Sequence, residues 1–146
     1  MSLQIGETPE EISGSSLATK ETRLQRETIL LVEDEAFVRE VTCEILRSAG
    51  YRVLTAKNAA EAACVYQARR DQVELLLTDM ILPSESGLAL SERLRKDDPE
   101  LKVLLVTGYT EQIARLAQMQ EECLAKPFSS DVLLRRVRQA LDRREV

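Results

Sequence analysis

Apolar runs in this chain repeatedly end on groups that bear charge or donate hydrogen bonds. "TILLV" (28–32) leads straight into Glu33, Asp34 and Glu35, and "VELLLTD" (73–79) ends on Asp79. "LKVLLVTG" carries Thr107 near its end, and "ECLA" is followed by Lys126 and Pro127. A carboxylate at the end of a buried segment is costly to desolvate. Two carboxylates about 4 Å apart repel by roughly 4 kcal/mol at an effective dielectric near 20, so three in one pocket require a cation or raised pKa values. Oxygen ligands with room for water suit Mg2+, a hard cation that takes one or two protein carboxylates together with phosphate oxygens. A lysine on the same rim neutralises an anion, and a threonine hydroxyl donates to it. The set therefore reads as a site for Mg2+ and a phosphoryl group.

Each residue alone has an ordinary explanation. Acidic residues after a strand cap helices, a threonine before glycine is turn chemistry, and Lys-Pro is common in loops. What joins them is the order of the elements. Short runs apolar on both faces alternate with amphipathic segments of helical period. "TILLV" reads as a first strand, and Phe37, Val41, Ile45 and Leu46 mark a helix that Gly50 stops. "YRVLTA" is a second strand, and Asn58 with Glu61 makes a capping-box-like start to a helix through about Arg69. "VELLLTD" is the third strand. A helix from about Ser86 to Lys96 ends near Pro99. "LKVLLVTG", a helix over about 111–120, "ECLA" and a last helix capped by Ser129 or Ser130 complete the set. Five strands and five helices in alternation specify an α/β fold, with a parallel sheet covered on both faces. In such sheets ligands sit outside the carboxyl ends of the strands, which is where Glu33, Asp34, Asp79, Thr107 and Lys126 fall.

Composition narrows the function classes. The 146 residues fit one domain, and 44% hydrophobic with 31% charged residues places the chain among ordinary globular proteins. The net charge is −5, and Lys and Arg gather on no segment that resembles a phosphate-backbone footprint, so direct nucleic-acid binding is not expected. No apolar stretch approaches the roughly 20 residues that span a bilayer, so no membrane contact by this chain is expected. Cys43, Cys64 and Cys123 form no C-x-x-C pair and the chain has no histidine, which leaves no zinc site. Buried, reduced thiols in a cytoplasmic chain are the expectation. Residues 1–26, polar and containing Gly6, Pro9 and Gly14, read as a leader or interdomain linker, with a cloning remnant a candidate origin for "MSL". The folded domain is expected over 27–146.

From Thr28 to about Leu141, "LLVEDE", "LLLTDMILPSESG", "VTGYT" and "AKPF", in this order and spacing, resemble the receiver domain of two-component response regulators. The resemblance implies a flavodoxin-like three-layer (βα)5 sandwich with a five-stranded parallel sheet of order 2-1-3-4-5. It implies that Asp79 accepts a phosphoryl group from the phosphohistidine of a sensor histidine kinase or a histidine phosphotransfer protein. Asp34 and Asp79 would bind Mg2+ directly, Glu33 through a water, and Ile81 by its backbone carbonyl. Thr107 and Lys126 would hold the phosphoryl oxygens, Lys126–Pro127 would be cis, and phosphorylation would reshape a surface that can pair two copies. The wording "ETILLVEDE" is similar to receivers at the C-terminal end of hybrid sensor histidine kinases, with a stand-alone regulator as the other reading.

The pattern departs at Cys123, where most receivers carry an aromatic residue that moves inward with the threonine. Coupling to the face of the fourth helix, fifth strand and fifth helix then depends on another contact. Tyr109 reads either as a gate on the pocket or as an exposed loop tyrosine. Leu82, Glu85 and Ser86 also depart from frequent family residues. Rival readings are a dehalogenase-type phosphatase, disfavoured by Ile81 where a second acid is needed, and a flavin carrier, for which no strand end offers a phosphate loop. A degenerate receiver acting as a phosphorylation-independent interaction module is the remaining alternative.

Overall fold

The computed structural model describes residues 26–143. Its five strands are β1 (Thr28–Val32), β2 (Arg52–Ala56), β3 (Val73–Asp79), β4 (Lys102–Thr107) and β5 (Cys123–Ala125). They alternate with helices α1 (Ala36–Ser48), α2 (Ala59–Arg69), α3 (Gly87–Asp97), α4 (Thr110–Gln118) and α5 (Ser130–Asp142). All neighbouring strands pair in parallel, in the order β2-β1-β3-β4-β5. This is the flavodoxin-like (βα)5 sandwich and the strand order that the resemblance implies. The expected leader, residues 1–26, lies outside the described residues apart from Arg26.

The continuous apolar runs exist because β1, β3 and β4 are covered on both faces. Successive side chains of a strand point to opposite faces, so the three leucines of β3 divide between two cores. Leu76 joins Leu30, Val32, Val103 and Leu105 on the face that also receives Tyr66, Leu90 and Leu116 of α2, α3 and α4. Leu75 and Leu77 join Ile29, Leu31, Leu104 and Val106 on the other, beneath Leu46 of α1 and Leu133 and Val137 of α5. Fully burying one such side chain contributes about 1.5–3 kcal/mol.

Three of the five helices, α2, α3 and α5, start on a side-chain cap. Asn58 accepts from the Glu61 amide, Ser86 from the Ala89 amide and Ser129 from the Val132 amide, each satisfying one orphan donor of the first turn. Ser129, rather than Ser130, is therefore the cap of α5. Glu61 reaches back to the Lys57 amide at 2.7 Å, one residue short of the reciprocal contact that a capping box makes with the cap itself. Gly50 ends α1 with φ 102°, a conformation that disfavours any side chain.

The cysteines depart from expectation. Cys43 is buried, but Cys64 is exposed and Cys123 only partly buried, and all three are free thiols. In α2 the buried positions are Ala59, Ala62 and Tyr66; at about 100° per residue Cys64 falls on the opposite side, facing solvent.

Candidate functional site

The carboxyl ends of β1, β3, β4 and β5 meet on one rim. Glu33, Asp34 and Glu35 leave β1, Asp79 is the last residue of β3, Thr107 the last of β4, and Lys126 directly follows β5. These residues line one cavity, together with Ile81, Val106, Gly108 and Tyr109. Every predicted site residue is therefore brought together: Glu33, Asp34, Asp79, Ile81, Thr107 and Lys126.

Glu33 and Asp79 are buried, at 4% and 7% exposure, whereas Asp34 is open to solvent. One carboxylate oxygen from each of the three lies within 4.8 Å of the others. Lys126 Nζ stands 3.1 Å from Asp79 Oδ1 and 3.6 Å from Glu33 Oε1. One ammonium thus faces two buried carboxylates, which leaves excess negative charge in the pocket. Asp79 registers the excess: burial and the adjacent Glu33 outweigh Lys126 and push its carboxyl up to about 7. Burial alone would lower the Lys126 ammonium, but Asp79, Glu33 and Glu35 reverse it and hold it above its ordinary value. A divalent cation would restore the balance. The donor set, carboxylate oxygens of graded exposure, fits Mg2+ better than a soft metal.

Local bonds aim the carboxylates. The Glu35 amide donates to Glu33 Oε2 at 3.1 Å, and Arg39 Nη1 donates to the Glu33 carbonyl at 2.7 Å. The first contact holds the Glu33 carboxylate and the second its backbone at the exit of β1, where Glu33 is buried and Asp34 is exposed on the cavity wall. Beyond β3, the Met80 amide donates to the Val106 carbonyl and the Met80 carbonyl accepts from the Gly87 amide, both at 2.8 Å. This fixes the chain leaving Asp79 and carries Ile81, 55% exposed, across the mouth of the cavity. The Thr78 hydroxyl donates to the Asp79 carbonyl at 3.0 Å.

Thr107 is buried, with its hydroxyl accepting from the Tyr109 amide at 3.2 Å and donating to Gln112 Oε1. Tyr109 is 57% exposed at the cavity edge. The Lys126–Pro127 bond is cis.

Two contributors escape a reading by residue type. A Cβ built on Gly87 would lie 2.0 Å from the Asp79 carbonyl oxygen, so only glycine lets the start of α3 approach the phosphoacceptor candidate. The signal was present as the glycine that closes "LLLTDMILPSESG". Gln112 carries no motif signal, because a polar residue in the first turn of a helix is ordinary.

The family model for the response regulator receiver domain matches residues 29–138. The chain is 33% identical over 121 residues to the phosphate regulon transcriptional regulatory protein PhoB of Pseudomonas aeruginosa, covering 80% of this chain and 52% of that protein. It is 32% identical over 139 residues to the sensor kinase CckA of Brucella abortus, covering 88% of this chain and 15% of that protein. Among solved structures it is similar to the response regulator protein TrrA from Thermotoga maritima in complex with Mg(2+)-BeF. That match has a TM-score of 0.70 at 30% identity, covering 78% of this chain and 98% of that one. The chain thus spans about half the length of PhoB and a small part of CckA. With the strand order, the acidic rim and the family match in agreement, this chain belongs to the response regulator receiver domain family.

Proposed function

We propose that this domain accepts a phosphoryl group on Asp79 from a phosphohistidine and switches its interaction surface in response. The observation that carries the reading is the rim itself: a buried carboxylate with a raised pKa, flanked by Glu33, Asp34 and Lys126. An Asp79 oxygen attacks phosphorus in line, the bond from phosphorus to the histidine nitrogen breaks, and the electron pair leaves with the imidazole. Asp34, Asp79 and the Ile81 carbonyl would hold Mg2+ directly and Glu33 through a water, and the bound ion would supply charge neutralisation for the phosphoryl group. Lys126 offsets the same charge from the opposite side, and the Thr107 hydroxyl is within the rim to donate to a phosphoryl oxygen. The product adds about −1.5 to −2 charge units, a local electrostatic change that can bias neighbouring elements between two arrangements.

The donor is a sensor histidine kinase or a histidine phosphotransfer protein. Its docking face is supported by the apolar groove between α1 and α5, where Phe37 is 77% exposed and Val41 42% exposed beside Ile45 and Leu134. Phe37 lies in the first turn of α1, directly beyond the acidic residues of the rim. Among the described residues no helix is long and apolar enough to cross a membrane.

Beryllofluoride with Mg2+ tests the reading by mimicking the acyl phosphate. Amide signals around Asp79, Thr107 and Lys126 should shift in the wild type and remain still in Asp79→Asn. A wild-type spectrum that does not respond would sink the phosphoacceptor reading.

A further inference from the structure

Thr107 has one hydroxyl proton, and in this structure it is committed. The Tyr109 amide donates to Thr107 Oγ1, so the oxygen already serves as an acceptor, and its proton goes to Gln112 Oε1. A hydroxyl that donates to a phosphoryl oxygen cannot at the same time donate to Gln112. The two bonds compete for one proton.

Gln112 sits in the first turn of α4, one turn before Leu116 on the same face of the helix. Leu116 is the single fully buried residue of α4, so the helix is held to the sheet by few apolar contacts, as befits an element that moves at low cost. The other family route from threonine to this face is an aromatic on β5, and here that position is Cys123, partly buried against the core beneath α4.

We propose that Gln112 is a positioning residue: it latches the Thr107 hydroxyl away from the phosphoryl site in the resting domain, and its release on phosphorylation carries the switch to α4. The inference rests on the phosphoacceptor reading of Asp79 and adds the route by which the signal leaves the site. In the resting state the latch holds α4 by Gln112 and Leu116. When a phosphoryl oxygen takes the Thr107 proton, the Gln112 contact is lost and α4 keeps only its hydrophobic anchor. Residue 123 then needs no aromatic ring, because the threonine speaks to α4 directly.

The test titrates beryllofluoride in the presence of Mg2+ and reads amide signals of residues 110–118 separately from those around Asp79. Gln112→Leu keeps the shape and removes the acceptor. It should bind beryllofluoride about 2- to 10-fold more tightly, the worth of one neutral hydrogen bond, and its α4 signals should begin near their activated positions. Gln112→Glu retains an acceptor at the same distance and should restore resting α4 positions. It also separates the latch from the alternative in which an amide nitrogen donates to Thr107, because a carboxylate cannot donate. If the wild type binds and Gln112→Leu matches it in affinity and in α4 response, the latch is wrong while the phosphoacceptor reading stands. Gln112→Glu behaving like Gln112→Leu would overturn it equally. A wild type that does not respond around Asp79 would remove both.

Discussion

Gly87 and Asp79 touch through their backbones so closely that a single added Cβ would lie 2.0 Å from the Asp79 carbonyl oxygen and 2.9 Å from its carbonyl carbon. The obstacle is backbone in a central strand, which cannot swing aside as a flexible side chain would. Gly87→Ala must therefore displace either β3 at its carboxyl end or the start of α3. We expect a loss of roughly 1–3 kcal/mol in unfolding free energy, in the range of overpacked cores, and at least a tenfold weaker response to beryllofluoride with Mg2+. Chemical denaturation and a fluoride-complex titration check the two effects; an unperturbed alanine variant would mean that the close approach does not exist in solution.

Lys126 is the one cation placed against Asp79 and Glu33 among the described residues. Its removal leaves both carboxylates to repel each other. In metal-free protein, Lys126→Met should raise the apparent pKa of Asp79 by about 1 unit or more, as expected for loss of an opposite charge within hydrogen-bonding distance. Carboxyl NMR of the Asp79 side chain reads this directly, and an unchanged titration would refute the ion pair.

The raised Asp79 pKa also sets the pH dependence of stability without metal. The ordinary aspartate value of 3.8 holds in the unfolded chain and about 7 in the fold, so the fold binds the proton more tightly than the unfolded state does. Stability is then fully present below about pH 4, declines as pH rises through the window to about 7, and levels off above it. The raised Lys126 value acts in a separate window, its contribution being fully present below 10.5 and lost as pH rises from there through the folded value. The fall should amount to a few kcal/mol at about 1.4 kcal/mol per pKa unit. Thermal melts in chelator should show it, Asp79→Asn should flatten it, and Mg2+ at pH 8 should restore what was lost.

Far from the rim, Tyr66 donates its hydroxyl to Asp98 Oδ2 at 2.8 Å, with its ring 1% exposed. Burial and the Asp98 carboxylate push the phenol up to about 12. Tyr66→Phe should cost about 1.5–3 kcal/mol, the net worth of a hydrogen bond to a charged group, and should leave phosphoryl uptake untouched. A change in uptake would show that α2 and the end of α3 communicate with the site.

Most of the fold was legible because the apolar runs leave little choice. "TILLV" and "VELLLTD" are too apolar for a strand with one wet face, and the residues that end them fall on one rim once the sheet is parallel. Element ends moved by a residue or two: α4 begins at Thr110 and ends at Gln118 rather than spanning about 111–120, and "ECLA" yields a three-residue strand. These shifts reflect capping and edge pairing, which hydrophobic period does not encode. Cys64 was misplaced because residue type was read without its helical phase. Gly87 shows in the sequence only as the glycine that closes "LLLTDMILPSESG", and Gln112 as an ordinary first-turn residue; their roles lie in a distance to a backbone carbonyl and in the fate of one proton, neither of which spacing along the chain expresses.

Asp79 itself should receive the phosphoryl group. Incubation with a small-molecule phosphodonor and Mg2+, followed by intact-mass measurement and peptide mapping, tests it most directly. A single added phosphoryl group is expected on the peptide containing Asp79, absent from Asp79→Asn and lost on chelation of the metal before the donor is added. Phosphoryl transfer to another residue, or an unmodified wild-type mass after incubation with donor and Mg2+, would contradict it.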